Sequence, residues 1–166
     1  MNQAVNLFWT ILCFTPVVAV WVSQYSVVWL CAFLIASVLS QLFPSALLQL
    51  SREPKFYERM GVKFIRKFVQ NGQYVSRYLR KGNPGYRVVT NKASALQYQN
   101  TVLMYERFHL ICFLFFLMTA VYAVIKSQIE LAIIVTAANI VYNVYPILLQ
   151  QYNRARLQRV AEKQAR

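Results

Sequence analysis

The sequence predicts an all-α integral membrane protein, with about four transmembrane helices plus an interfacial amphipathic helix. Three observations carry that prediction. Hydrophobic residues make up 58% of the chain and charged residues only 14%, against roughly 25% charged in a soluble domain. The deficit is localised, because no residue from Asn2 to Ser51 is charged and the first basic residue is Arg52. The basic residues are also localised. Of 18 Lys and Arg residues, 12 lie between Arg52 and Arg107 and 5 between Arg154 and the end, leaving only Lys126 elsewhere.

A span needs about 20 apolar residues to cross the hydrocarbon core. Four runs qualify, at about 4–22, 27–43, 108–125 and 131–149. Ser23, Gln24, Tyr25 and Ser26 form a tight polar turn between the first two. Lys126 to Glu130 form the turn between the last two. Pro16 falls inside the first span and Pro44 ends the second, which membrane helices tolerate when neighbours satisfy the freed carbonyl. Ala32, Ala36 and Ser40 recur every four residues in the second span, a spacing suited to close helix packing.

Two hairpins put the N-terminus, the basic segment 52–106 and the basic tail 150–166 on one side of the membrane. That side holds 17 of the 18 basic residues, so the positive-inside rule makes it cytoplasmic. The length of 166 residues fits a single membrane domain over 1–166. The N-terminus has no Lys or Arg and no clear small-x-small site, which argues against a cleaved signal peptide.

The net charge of +13 suggests nucleic acid at first sight. Its confinement to alternate loops is instead what membrane topology produces, and it suits an anionic leaflet. No nucleic-acid partner is expected, since base-stacking and groove-reading motifs are absent. Cys13, Cys31 and Cys112 all fall in apolar runs, where thiols are usually inert. With a single His and no cysteine pair at ligand spacing, no metal site is expected.

Within 52–106, Phe56, Met60, Phe64 and Phe68 form an apolar stripe beside a basic stripe of Lys55, Arg59, Lys63 and Lys67. That is the pattern of a basic amphipathic helix lying in the membrane interface. Breaks are expected at Gly72 and at Gly82-Asn83-Pro84-Gly85. From about Lys92 a polar helix should run directly into the third span.

The chain has five acidic residues, all Glu. Glu106 and His109 are three residues apart, on one helix face at the mouth of the third span. A carboxylate there can orient an imidazole acting as general base. A plain interfacial Glu–Arg107 pair is the structural alternative. A second cluster runs from Asn143 to Arg156. Asn139 and Asn143 are four apart within the fourth span, Gln150 follows, and Pro146 should open the helix near Tyr142 and Asn143. Arg154 and Arg156 suit a phosphate or carboxylate. An interhelical amide clamp followed by positive-inside anchors explains the same residues without chemistry.

The run Asn143, Tyr145-Pro146, Gln150, Tyr152-Asn153-Arg154, Arg156-Leu157 resembles an N-x-x-P…Q-R-Y-N-R-x-R-L signature. That signature belongs to the glycosyl-4,4'-diaponeurosporenoate acyltransferase family of small bacterial membrane proteins. Glu106 and His109 resemble that family's E-x-x-H, and Phe56 to Lys63 its upstream aromatic-basic segment. The chain departs from the pattern at Gln151, in place of Arg, and at Leu110, in place of an aromatic residue. It has Phe64 or Phe68 where Trp is usual.

The resemblance implies a membrane-bound acyltransferase acting on a glycosylated isoprenoid, a carotenoid or a related glycolipid at the cytoplasmic interface. It implies a bacterial cytoplasmic (inner) membrane location, multi-pass, with both termini cytoplasmic. His109, oriented by Glu106, would deprotonate a sugar hydroxyl that attacks an acyl thioester. Asn143 and Gln150 would donate to the oxyanion, Arg154 and Arg156 would hold donor phosphates, and Tyr145, Tyr152 and Asn153 would bind substrate. No cofactor is expected beyond the acyl-thioester co-substrate. Membrane lipids and the lipid or carotenoid glycoside are the expected partners. The main rival is a non-catalytic small membrane subunit packing beside other membrane proteins. A lipid methyltransferase or reductase would need a nucleotide, and no Gly-rich loop is visible.

Overall fold

The computed structural model describes residues 2–44, 47–67, 74, 77–78, 81 and 92–164. Seven α-helices account for most of these, with no strand among the described residues. They are α1 (Asn2–Ser23), α2 (Val27–Leu39), α3 (Pro54–Arg59), α4 (Val62–Ile65), α5 (Lys92–Ile125), α6 (Ile129–Asn139) and α7 (Tyr145–Gln164). A 3₁₀ turn, Ser40–Leu42, extends α2, and a π-helical segment, Ile140–Val144, joins α6 to α7. Phe68, Gly72 and the Gly82–Gly85 turn lie outside the described residues.

Among the described residues, three stretches are long and apolar enough to cross a membrane: Gln3–Ser23, Gln97–Ile125 and Ile129–Val160. The chain is therefore an all-α membrane protein. The expected second span is the shorter apolar helix Val27–Leu42. At 1.5 Å per residue it reaches about 24 Å, against about 30 Å of hydrocarbon. Its end has a local cause. Phe43, preceding Pro44, takes the extended conformation that a following proline favours (φ −75°, ψ 131°).

The chain divides into two compact units. The first comprises Phe8–Leu48 and Arg107–Ile147. Its core is built from Cys13, Val17, Val20 and Trp21 of α1, Phe116, Ala120, Tyr122 and Ala123 of α5, and Ala132 and Val135 of α6. The α1 positions follow the i, i+4, i+7, i+8 spacing of one helix face. Trp21 stacks on Tyr122 at 5.2 Å between ring centroids and donates its Nε1–H to Thr119 Oγ1 at 3.2 Å. Outward-facing side chains remain apolar, among them Ile11, Leu12, Ile35, Leu117, Ile133 and Ile134, as a lipid surround requires. On α2 the buried polar residues are Ser37 and Ser40, whereas Ala32 and Ala36 are exposed, so the small-residue stripe is not an internal seam of this unit.

The α5–α6 turn closes as a Schellman motif. Gln128 N–H donates to Ala123 O at 2.8 Å and Ser127 N–H to Val124 O at 2.9 Å, with Ser127 left-handed at φ 57°. The π segment forms where Pro146 interrupts the backbone ladder. Proline has no N–H to give the Tyr142 carbonyl one turn back, and the local register slips so that Tyr145 N–H reaches Ile140 O.

The second unit comprises Met1–Leu7, Gln49–Glu106 and Leu148–Arg166. Here the single amphipathic helix expected from the stripe is two short ones. Gly61 adopts φ +80° between α3 and α4, a left-handed conformation open to glycine at no steric cost, and it breaks the helical run. Phe56, Met60 and Phe64 are exposed, while Tyr57 and Val62 are buried.

Candidate active site

The one histidine lies on α5 in the first unit. Its Nδ1 meets Asn143 Oδ1 at 3.4 Å, a long hydrogen bond. Asn143 Nδ2 donates to Asn139 Oδ1 at 2.8 Å, and Asn139 Nδ2 donates to the Phe113 carbonyl at 3.1 Å. Asn139 and Asn143 are both buried, at 4% and 0% exposure. A polar chain thus runs from α5 through α6 and the π segment and returns to α5. The register slip accompanies it: Asn139 ends α6 and Asn143 lies within the π turn. Such π turns are frequent at functional sites.

Aromatic rings fix the other sides of His109. Tyr142 packs edge-on against it at 5.5 Å and Phe108 at 5.3 Å. The Tyr142 hydroxyl is hydrogen-bonded to Thr10 Oγ1 at 2.8 Å, which anchors that ring to α1. The Tyr142 backbone carbonyl, which Pro146 cannot serve, also faces the imidazole.

The second unit holds a different constellation. Glu106 Oε1 accepts from Gln151 Nε2 at 3.0 Å and pairs with Arg154 Nη2 at 3.2 Å. Gln151 Oε1 accepts from Leu50 N–H at 3.1 Å and lies 3.2 Å from the Tyr57 hydroxyl. That hydroxyl accepts from Ser51 N–H at 2.9 Å and donates to Ser51 O at 2.8 Å. Burial pushes the Tyr57 phenol above its ordinary value, so it acts as a neutral donor here. Every side chain from Tyr57 through Gln151 to Glu106 and Arg154 is buried.

These placements sort the residues expected from the sequence. The group found on the imidazole of His109 is Asn143, while the carboxylate of Glu106 receives Gln151 and Arg154. Arg154 is 4% exposed and ion-paired. Arg156 is exposed, its guanidinium 5.5 Å over the Tyr152 ring. Tyr152 donates its hydroxyl to Glu58 Oε1 at 3.3 Å. Gln150 Oε1 accepts from Asn153 Nδ2 at 3.5 Å, and Tyr145 is half-buried at the start of α7. Sequence reasoning did not place Tyr57 or Gln151 in a site. Gln151 stood out only as a departure from a signature, and Asn139 only by its spacing from Asn143. The single signal for Tyr57 was its place in the aromatic-basic run.

No curated protein and no solved structure matches the chain significantly. A family model does, over residues 41–163, which include His109, Asn139, Asn143 and the whole Gln151 network. The match covers well over half of the 166 residues, and on it the chain belongs to the glycosyl-4,4'-diaponeurosporenoate acyltransferase family.

Proposed function

We propose that this protein is a membrane-bound acyltransferase acting on a glycosylated carotenoid, another glycosylated isoprenoid or a related glycolipid. We place the reaction at the cytoplasmic interface of a bacterial inner membrane, with both termini cytoplasmic. The supporting observation is the family match over 41–163. Within it, the single histidine is held by a buried carboxamide.

The imidazole of His109 accepts the proton of a sugar hydroxyl. The oxygen attacks the carbonyl carbon of an acyl thioester, the C–S bond breaks from the tetrahedral intermediate, and the thiolate leaves with the proton carried by the histidine. An ester and a free thiol result, so atoms and charge balance. A general base of this kind contributes typically 10²–10⁴-fold. His109→Ala should therefore lower transfer by about that factor while the protein remains folded and membrane-inserted. The direct test compares, by mass spectrometry, lipid and pigment extracts of cells with and without the protein. Loss of an acylated glycoside with accumulation of its deacylated precursor supports the reading; unchanged extracts, or full activity in purified His109→Ala, overturn it.

One observation favours a second reading, a non-catalytic subunit of a larger membrane complex. Ala32 and Ala36 are exposed on α2 at the spacing that lets helices approach closely. Copurification of a stoichiometric membrane partner, together with unchanged extracts, would favour it.

A further inference from the structure

We infer that Asn139, acting through Asn143, fixes the tautomer of His109 so that Nδ1 carries the proton and Nε2 presents the basic lone pair. This rests on the acyltransferase reading for its consequence but not for its test. One member of the chain has a role that is not adjustable. The Phe113 carbonyl can only accept, so the group facing it at 3.1 Å is the amide nitrogen of Asn139. Asn139 Oδ1 then points the other way and can only accept, so the Asn143 group 2.8 Å from it is the amide nitrogen. Asn143 therefore turns its oxygen toward His109, 3.4 Å from Nδ1. An amide oxygen accepts, so Nδ1 donates. The polarity passes unbroken from a backbone carbonyl to the ring, without any choice of amide orientation along the way.

Burial makes the polarity binding. Asn139 and Asn143 are 4% and 0% exposed, and reversing either amide would set two donors or two acceptors face to face. The edge-on Tyr142 ring, tied to Thr10, restrains the imidazole from flipping. Asn139 is thus a positioning residue that reaches His109 through two hydrogen bonds, touching no substrate.

The chain contains one histidine, which makes the test unusually direct. Full-length protein labelled with ¹⁵N only in histidine, in detergent or nanodiscs at pH 8, gives one pair of ring nitrogen signals. Their shifts and their two-bond couplings to the ring carbon-bound protons separate the tautomers. The expected result is a protonated Nδ1 and an unprotonated Nε2. A protonated Nε2, or an imidazolium with both nitrogens protonated, overturns the inference with no variant needed. In Asn139→Leu the Nδ1–H signature should give way to Nε2–H or to an averaged pair. An unchanged Nδ1–H spectrum would remove Asn139 from the relay. With an acyl-acceptor assay in hand, Asn139→Leu should lower kcat roughly 10²-fold with KM little changed. If the tautomer is as inferred and no transfer is found in the wild type, the function fails and the relay stands.

Discussion

The two units hold their helices together by different chemistry. In the first, rings and small apolar side chains interlock around Trp21, Phe116 and Tyr122, with hydrogen bonds such as Trp21 to Thr119 and the short Asn139–Asn143–His109 chain set among them. In the second, one buried carboxamide, Gln151, joins the loop at Leu50, the phenol of Tyr57 and the carboxylate of Glu106, and Arg154 closes the charge. Lipid offers helices no hydrophobic drive to associate, so shape and dispersion must do it, and isolated polar bonds add little. A buried network can instead gather several backbone and side-chain groups, but each member then depends on the rest.

The sharpest way to break that contrast is to remove one charge of the pair. Arg154→Met takes away the guanidinium 3.2 Å from the buried Glu106 carboxylate and should cost about 3–5 kcal/mol. The reciprocal Glu106→Gln should also be costly, whereas the double variant should recover much of the loss, because both members of the ion pair are then removed together. Thermal unfolding in one detergent, run on all four proteins, reads the coupling. A single-variant loss below about 1 kcal/mol would mean that the network does not hold the second unit together.

A smaller effect sharpens the contrast from the lipid side. Thr119→Val keeps the shape but takes the acceptor from Trp21 Nε1. Interhelical bonds of this type average about 0.6 kcal/mol and reach at most about 1.7. The unfolding midpoint should therefore move little. A loss as large as that of Arg154→Met would show that polar bonds, not rings, organise the first unit too.

The sequence made the spans legible because runs of about 20 apolar residues have almost no other home. It did not make legible how the helices meet. The stripe Ala32, Ala36, Ser40 has packing spacing, yet α2 buries Ser37 and Ser40 and exposes both alanines. A lone glycine in a periodic pattern is usually tolerated, so only the φ of +80° at Gly61 reveals the break between α3 and α4. At the candidate site, the i, i+3 spacing of Glu106 and His109 is legible because it is local. Their partners were not. Asn143 is 34 residues from His109, and Gln151 and Arg154 are 45 and 48 residues from Glu106. No local pattern records such pairings. The proline signal did carry through: Pro146 predicts an opened helix near Asn143, and the chain makes a π turn there.

The least effect is expected at the exposed end of the second unit, where charge is available but water competes for it. Lys63 Nζ lies 2.7 Å from Glu58 Oε2, bridging the Gly61 break, and Tyr152 donates to the other carboxylate oxygen. The hydrogen bond from Lys63, aided by that from Tyr152, holds the Glu58 carboxyl below its ordinary value of 4.5, and the same contact raises Lys63. A depressed carboxylate stabilises the fold above its unfolded pKa and loses that contribution as pH falls through the lower folded value. The α3–α4 junction should therefore be unaffected near neutrality and loosen only in acid below 4.5. Following the Glu58 side-chain carboxyl carbon by NMR titration gives the outcome directly. In the wild type it should titrate below 4.5, and in Lys63→Met it should move up toward that value, with the unfolding midpoint at neutral pH nearly unchanged. If instead the carboxyl titrates at its ordinary value in both proteins, the bridge is not formed in solution, and Gly61 alone sets the angle between the two short helices.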